Sequence, residues 1–310
     1  MQAVLNAALP LFGLILTGYL CGRSEMFSRA ASDALNRFAV YLALPALMFL
    51  AMAGIEPGQE GQAGFALAFG GGIAATFALG FALSRWRGRG LANASIEGLD
   101  AAYSNVGFMG IPLCLLVFGP DSLPAAVVAT LFTACVLFLF AVALIEAELR
   151  GGAGFGRATG RITLSLLRNP LLLAPLAGLG LGLTGTALPA PVDRFAGLLG
   201  GAASPCALVC IGLFLAQESV AARDAPAIGV LVGLKLLFQP AVTAVLAVHV
   251  FALPPAWANP AVLLSALPIG SGPFTIAKLY GLEAGVTSGA ILVSHLLSVV
   301  TVSLLVAWMG

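Results

Sequence analysis

Ten predominantly apolar stretches, each long enough to cross or nearly cross a bilayer, occupy almost the whole chain. They run approximately over Ala3–Leu20, Leu35–Ala53, Gly64–Leu83, Ile96–Phe118, Pro124–Glu146, Pro170–Thr184, Phe195–Gln217, Pro226–Val250, Asn259–Leu279 and Ala284–Trp308. A helical span takes about 20 residues, so 310 residues divided this way leave no sizeable soluble domain. Only 9% of the residues are charged, against about 25% in soluble domains, and a soluble globular enzyme is thereby excluded. Lipid offers the backbone no hydrogen-bond partners, so a spanning segment is a helix or part of a closed barrel. Barrel strands alternate polar and apolar residues. These runs are instead rich in Gly, Ala, Pro and Leu, a composition that suits closely approaching helices. The expected fold class is an all-α integral membrane protein with ten transmembrane helices.

Basic residues set the orientation. Arg23, Arg29, Arg37, Arg85, Arg87, Arg89, Arg150, Arg157, Arg161, Arg168, Arg223 and Lys278 fall in or beside one alternate set of connections, and only Arg194 in the other. This asymmetry places both termini outside. The halves also repeat. Pro10-Leu-Phe-Gly13 recurs as Pro175-Leu-Ala-Gly178, the interval Asp33 to Pro45 recurs as Asp193 to Pro205, and Pro112 recurs as Pro273, all at offsets of 160 to 165. Five spans per copy is an odd number, so the second copy is inverted, a plan seen in many secondary transporters. The expected organisation is a first five-helix repeat over 1–150, a cytoplasmic connecting loop over 151–168 and a second, inverted five-helix repeat over 169–310.

Cys21, Cys114, Cys135, Cys206 and Cys210 lie in or at the ends of apolar runs and form no Cys-x-x-Cys pair, so they are read as small packing residues with no metal site. The first run lacks a basic leader and exceeds a signal-peptide core in length, and is expected to remain in the mature chain.

Two spans carry breaks at corresponding places. Asn105-Val-Gly107-Phe-Met-Gly110-Ile-Pro112 lies in span 4 and Pro268-Ile-Gly270-Ser271-Gly272-Pro273 in span 9. Proline has no N–H and glycine weakens a helix, so each cluster frees backbone groups that only protein or a wet cavity can satisfy. Pro112 and Pro273 suit the first position of a restarting helix, whose free N–H groups and positive dipole end favour an anion. Ordinary proline kinks are the plainer alternative. Paired interruptions in corresponding halves point instead to a transporter binding site.

These motifs, with Ala266-Leu-Pro-Ile-Gly-Ser-Gly-Pro-Phe274 followed by Ala277-Lys-Leu-Tyr280-Gly281, resemble the auxin efflux carrier family over essentially the whole chain. The Gly-Ser-Gly-Pro form of span 9 resembles most the bacterial branch assigned to malonate. The resemblance implies a ten-helix inverted-repeat fold with helices 4 and 9 broken and crossing, as in the bile-acid sodium symporters. It also implies transport of organic anions by an elevator-like movement in a bacterial inner (plasma) membrane. Many relatives place an asparagine in span 9 where this chain has Gly272 or Pro273, so a symmetric asparagine pair is not expected.

Charge at the bilayer centre costs about 2.5–3.5 kcal/mol even on the lenient scale, so intramembrane ionisable residues are functional candidates. Lys235, about 13 Å into span 8 at roughly 1.5 Å per residue, either holds a substrate carboxylate or binds carbonyls of a broken helix. Gln239, one turn on, would line the same cavity. His295 in span 10 is a proton-coupling candidate, or a neutral ring bonded to a neighbouring helix. Asp100 is a gate or proton site, or an interfacial carboxylate near Arg85 to Arg89. The expected substrate-binding set is Asn105, Gly107, Gly110, Pro112, Lys235, Gln239, Gly270, Ser271, Gly272 and Pro273, with His295 and Asp100 as proton-coupling groups.

Gly180-Leu-Gly182-Leu-Thr-Gly185 matches a dinucleotide fingerprint but sits in an apolar span without a preceding strand. It reads better as small-residue packing around Gly178, matched by Gly13 and Thr17 in the first repeat. No Walker motif, His-Glu-x-x-His or intramembrane aspartate pair is present, so an ATP-driven pump and an intramembrane protease are unsupported. The sequence therefore indicates a non-enzymatic secondary active transporter of small organic anions, mono- or dicarboxylates resembling malonate. No cofactor, metal or nucleic acid is expected. The partners are the substrate and the bilayer, with a proton as coupling ion or none; a homodimer is compatible with the sequence and unspecified by it. The alternatives are a sodium-coupled symporter, a passive anion channel and a receptor that binds without transporting.

Overall fold

The computed structural model describes residues 2–24, 26–54, 62–149, 169–217 and 224–309, without the side chains of 2–8. Among these residues the chain is helical, with no strand. The helices are α1 (Gln2–Arg23), α2 (Arg29–Ala53), α3 (Gln62–Trp86), α4 (Leu91–Ala102), α5 (Val106–Phe118), α6 (Pro120–Leu149), α7 (Pro170–Thr184), α8 (Ala190–Leu215), α9 (Ala225–Val250), α10 (Pro255–Ser265), α11 (Gly272–Leu279) and α12 (Gly285–Met309). Six of them, α2, α3, α6, α8, α9 and α12, are long and apolar enough to cross a membrane. The fourth and ninth apolar runs are each divided, into α4 and α5 and into α10 and α11. The expected connecting loop, 151–168, lies outside the described residues.

Prolines shape the helices in a repeated way. Pro45, Pro112 and Pro240 each follow a π-helical turn, over Ala39–Ala43, Val106–Gly110 and Leu234–Phe238. The residue before each proline donates its N–H five residues back, Leu44 to Ala39, Ile111 to Val106 and Gln239 to Leu234. A wider turn of this kind absorbs the donor that proline lacks without ending the helix. Helix α5 consequently restarts at Val106, six residues ahead of the expected Pro112, whereas Pro273 is the second residue of α11, one place after the expected first.

Small residues set the closest helix contacts. Helix α1 packs along α8, and α7 along α2. A Cβ on Gly18 would lie 2.9 Å from the carbonyl carbon of Val209, and one on Gly178 would lie 3.1 Å from that of Phe49. Backbone cannot yield as a side-chain tip can, so only glycine permits these approaches. Gly13, which the sequence pairs with Gly178, faces open space; Gly18 makes the matching contact. Gly178→Val should lower stability by about 1–3 kcal/mol through overpacking, while Gly180→Val, where nothing lies within 4 Å, should change it by less than about 0.5 kcal/mol. Thermal unfolding in detergent compares the two; equal losses would refute the packing role.

Polar contacts tie the helix ends at one side of the bundle. Glu148 at the end of α6 accepts from the N–H groups of Leu91 and Ala92, at 3.0 and 2.5 Å, and so caps the N-terminus of α4. Glu146, which is buried, accepts from the Tyr280 hydroxyl at 2.8 Å. Arg87 pairs with Glu97, and Arg89 bridges Glu97 at 3.5 Å and Glu283 at 2.7 Å. The hydrogen bond from Arg89 to Glu283 raises the basicity of the guanidinium further.

Candidate functional site

The two interrupted runs meet where they break. Between α4 and α5 the chain extends briefly, and Ser104 pairs antiparallel with Ile269 of the α10–α11 connection. Asn105 N–H donates to Pro268 O at 2.9 Å, and Gly270 N–H donates to Tyr103 O at 3.0 Å. Ile269 N–H donates to Ser294 Oγ of α12 at 3.1 Å. Each break thus satisfies part of the other's freed backbone, which accounts for unwound chain in an apolar interior.

The carbonyl ends of the two broken helices are served from α9. Lys235 is fully buried and its Nζ donates to the carbonyl of Ser265, the last residue of α10, at 2.6 Å. One turn on, Gln239 Nε2 donates to the carbonyl of Ala102, the last residue of α4, at 3.2 Å. A helix C-terminus carries partial negative charge and up to four unpaired carbonyls, so an ammonium and an amide at these two ends are well matched.

On another face of the crossing, Asn105 and His295 come together. Both are almost fully buried, at 6% and 5% exposure. His295 Nδ1 lies 2.8 Å from Ile291 O, and Nε2 lies 3.2 Å from Asn105 Nδ2. A carbonyl oxygen only accepts, so Nδ1 carries the hydrogen and Nε2 accepts from the amide. These two residues border a cavity of about 250 Å³ with Ser271 just before α11, Phe274 and Thr275 of α11, Asn36 and Asp33 of α2, and Gln217 after α8. Asp33 is the charged lining residue among those described, and no lysine or arginine joins it.

Of the residues expected from sequence, the cavity gathers Asn105, Ser271 and His295. Lys235 and Gln239 bind the helix ends instead. Gly110 packs against Leu264 and Leu267 of the α10 side, and Gly270 and Gly272 pack against the ring of Tyr103. Gly107 has only Thr130 within reach of a Cβ. Pro112 and Pro273 are buried within α5 and α11. Asp100 is fully buried and its Oδ2 accepts from Thr287 Oγ1 of α12 at 2.8 Å, while its Oδ1 has no hydrogen-bond partner among the described residues. It lies near a second cavity, of about 490 Å³, bordered by Thr287, Glu97, Arg89, Glu283 and Asp224. Asp33, Asn36 and Gln217 were not singled out in the sequence, since a polar residue close to a span end looks like ordinary interface. In the sequence the Asp33–Pro45 spacing marks only the repeat.

Comparison with known proteins agrees with this architecture. The model of the membrane transport protein family matches residues 3–153 and 155–306. A protein of Rhizobium meliloti (strain 1021), provisionally named as a malonate transporter, is 34% identical over 98% of this chain and 95% of its own length. An uncharacterized transporter of Methanothermobacter thermautotrophicus is 28% identical over 96% of each chain. Auxin efflux carrier component 3a of Oryza sativa subsp. japonica is 30% identical over 43% of this chain and 22% of its own. The chain belongs to the membrane transport protein family, that of the auxin efflux carriers, and is a transporter rather than an enzyme.

Proposed function

We propose that the protein is a secondary active carrier of small organic anions, malonate-like mono- or dicarboxylates, with the substrate held in the cavity beside Asn105. The observation that carries this reading is a polar cavity at the mutual break of two helices, with amide, hydroxyl and imidazole groups set in an apolar bundle. The malonate assignment given to the Rhizobium relative supports the substrate class. Residue pairs across the breaks support a ten-helix inverted repeat over 1–150 and 169–310. Asn105 to Pro268 and Gly270 to Tyr103 are exchanged by one offset of 165 residues, and Gly18 on Val209 and Gly178 on Phe49 by one of 160.

In this reading α1, α2, α7 and α8 form a scaffold, and the broken helices with α12 move the cavity past it in an elevator-like step. The cavity draws on both groups, with Asp33 and Asn36 from the scaffold and Asn105, Ser271 and His295 from the moving part. Such shared lining lets a sliding movement exchange the side from which the cavity is open. The distribution of basic residues supports both termini lying outside the inner membrane. Counterflow in proteoliposomes tests the function: external labelled malonate should accumulate against internal unlabelled malonate with no imposed ion gradient. A channel only dissipates gradients and a receptor moves nothing, so absence of accumulation with malonate and with other short dicarboxylates would overturn the carrier reading.

A further inference from the structure

We infer that His295 and Asn105 form a proton-operated amide switch, so that an anion enters the cavity together with a proton. The inference rests on the carrier reading and concerns the same cavity. Its starting point is a charge imbalance. Asp33 is the charged group among the described lining residues, and the lining includes no lysine or arginine. A carboxylate placed there adds negative charge to negative charge in a cavity of about 250 Å³. Phe108, Ile211, Leu213, Phe214, Phe274 and Ile291 make much of the lining apolar, and Coulomb repulsion grows as the local dielectric falls. Positive charge that arrives with the substrate offsets this repulsion. Lys235 does not supply it by contact, because it is not among the residues that border the cavity and its Nζ donates to Ser265 O.

The hydrogen bonds of His295 identify where the proton goes. Nδ1–H is held by Ile291 O at 2.8 Å, so the neutral ring has its lone pair on Nε2, which accepts from Asn105 Nδ2 at 3.2 Å. A proton taken up by that lone pair turns Nε2 into a donor facing a donor. The amide of Asn105 then turns over about its Cβ–Cγ bond, so that Oδ1 accepts from Nε2–H and the NH2 group takes the position the oxygen held. Terminal amide torsions are broad and roughly two-fold, so the two orientations are both accessible. The protonated state offers an anion an imidazolium and a redirected N–H donor; the neutral state offers neither. One N–H bond forms at Nε2, no other covalent bond changes, and the proton leaves by the reverse step when the anion is released.

Other ionisable groups lie in the cavity and on the helices packed around the ring. Asp33 and Cys210 line the same cavity. Among the elements packed on α12, α4 brings Glu97, paired with Arg87 and Arg89, and Asp100, bonded to Thr287. Helix α9 brings Lys235 on Ser265 O, with Asp224 just ahead of it. Helix α11 brings Lys278, which stacks over Phe274, and α1 brings Tyr19, Cys21 and Arg23. The His295 ring meets Asn105 through Nε2 and Ile291 O through Nδ1.

The test uses the full chain in nanodiscs with malonate as the probe. Calorimetry in two buffers of different ionisation enthalpy counts the protons taken up on binding. The wild type should take up about one proton per malonate, which makes affinity fall roughly tenfold for each unit rise in pH. His295→Gln should bind more weakly, with an affinity that no longer changes with pH. Should that variant misfold, the wild type still decides the matter. With the two histidines labelled by 15N, His295 should show a neutral Nδ1–H ring without malonate and an imidazolium with saturating malonate, while His249 stays unchanged. Malonate binding without proton uptake, or with a ring that remains neutral, would overturn the switch and leave the carrier reading intact. Absence of both malonate binding and malonate counterflow would overturn the carrier reading, and the switch with it.

Discussion

Gly272→Leu is expected to reduce transport by about 100-fold or more while the chain still inserts in the membrane. A Cβ at position 272 would lie 2.7 Å from Tyr103 Cε2 and Oη, well inside van der Waals contact. The same ring packs against Gly270, and the Tyr103 backbone is held at the end of α4, where its carbonyl accepts the N–H of Gly270. The added side chain therefore displaces α11 from α4, and with it Ser271 from Asn105 across the cavity. A misplacement of about 1 Å at a site of this kind can cost 100-fold. Insertion depends on overall hydrophobicity, which leucine raises. Gly110→Ala provides the contrast. Its Cβ would meet the methyl tips of Leu264 and Leu267, at 2.7 and 2.9 Å, which rotamer changes can move. Counterflow normalised to the amount of reconstituted protein measures both, and a fully active Gly272→Leu would remove the crossing from the transport path.

Lys235→Met should destabilise the bundle by about 1.5–3 kcal/mol, the range for hydrogen bonds that involve a charged group. Methionine nearly fills the volume of the lysine stem, so the change isolates the loss of Nζ from the loss of packing. The carbonyl of Ser265 would then end α10 without its donor, in a site that water does not reach. Malonate affinity should change less than about threefold, a shift under 0.7 kcal/mol, because Lys235 is not among the residues that border the cavity. Thermal unfolding and calorimetry on the same sample separate the two effects. An unchanged melting temperature with an affinity loss of tenfold or more would return Lys235 to the substrate as its compensating cation.

Lys235 also illustrates what one dimension of information can reach. Its depth in an apolar run already marked it as buried, since a charge there must be compensated. Which partner compensates it depends on α10 ending thirty residues later within reach of Nζ, and that is a property of helix packing. Asn105, Ser271 and His295 were legible for the same reason: a polar group inside a membrane span has to be satisfied by something specific. The three sit just ahead of α5, just ahead of α11 and on α12, and only the crossing gathers them. Asp33, Asn36 and Gln217 were not legible, because their helix-end positions cost little in any fold. They become significant through the apposition of α2 and α8 against the broken helices.

Local chemistry that lipid enforces was therefore determined by the sequence alone. Helical spans follow from the length of the apolar runs, breaks from the glycine and proline clusters, and membership of a transporter family from the motifs around those breaks. Which glycine faces which backbone was decided by the tertiary structure. Gly18 rather than Gly13 matches Gly178, and Gly272 makes room for the ring of Tyr103. Rotation of a helix about its axis costs little until its neighbours are in place. A run that is apolar on every side does not say which face will be turned inward.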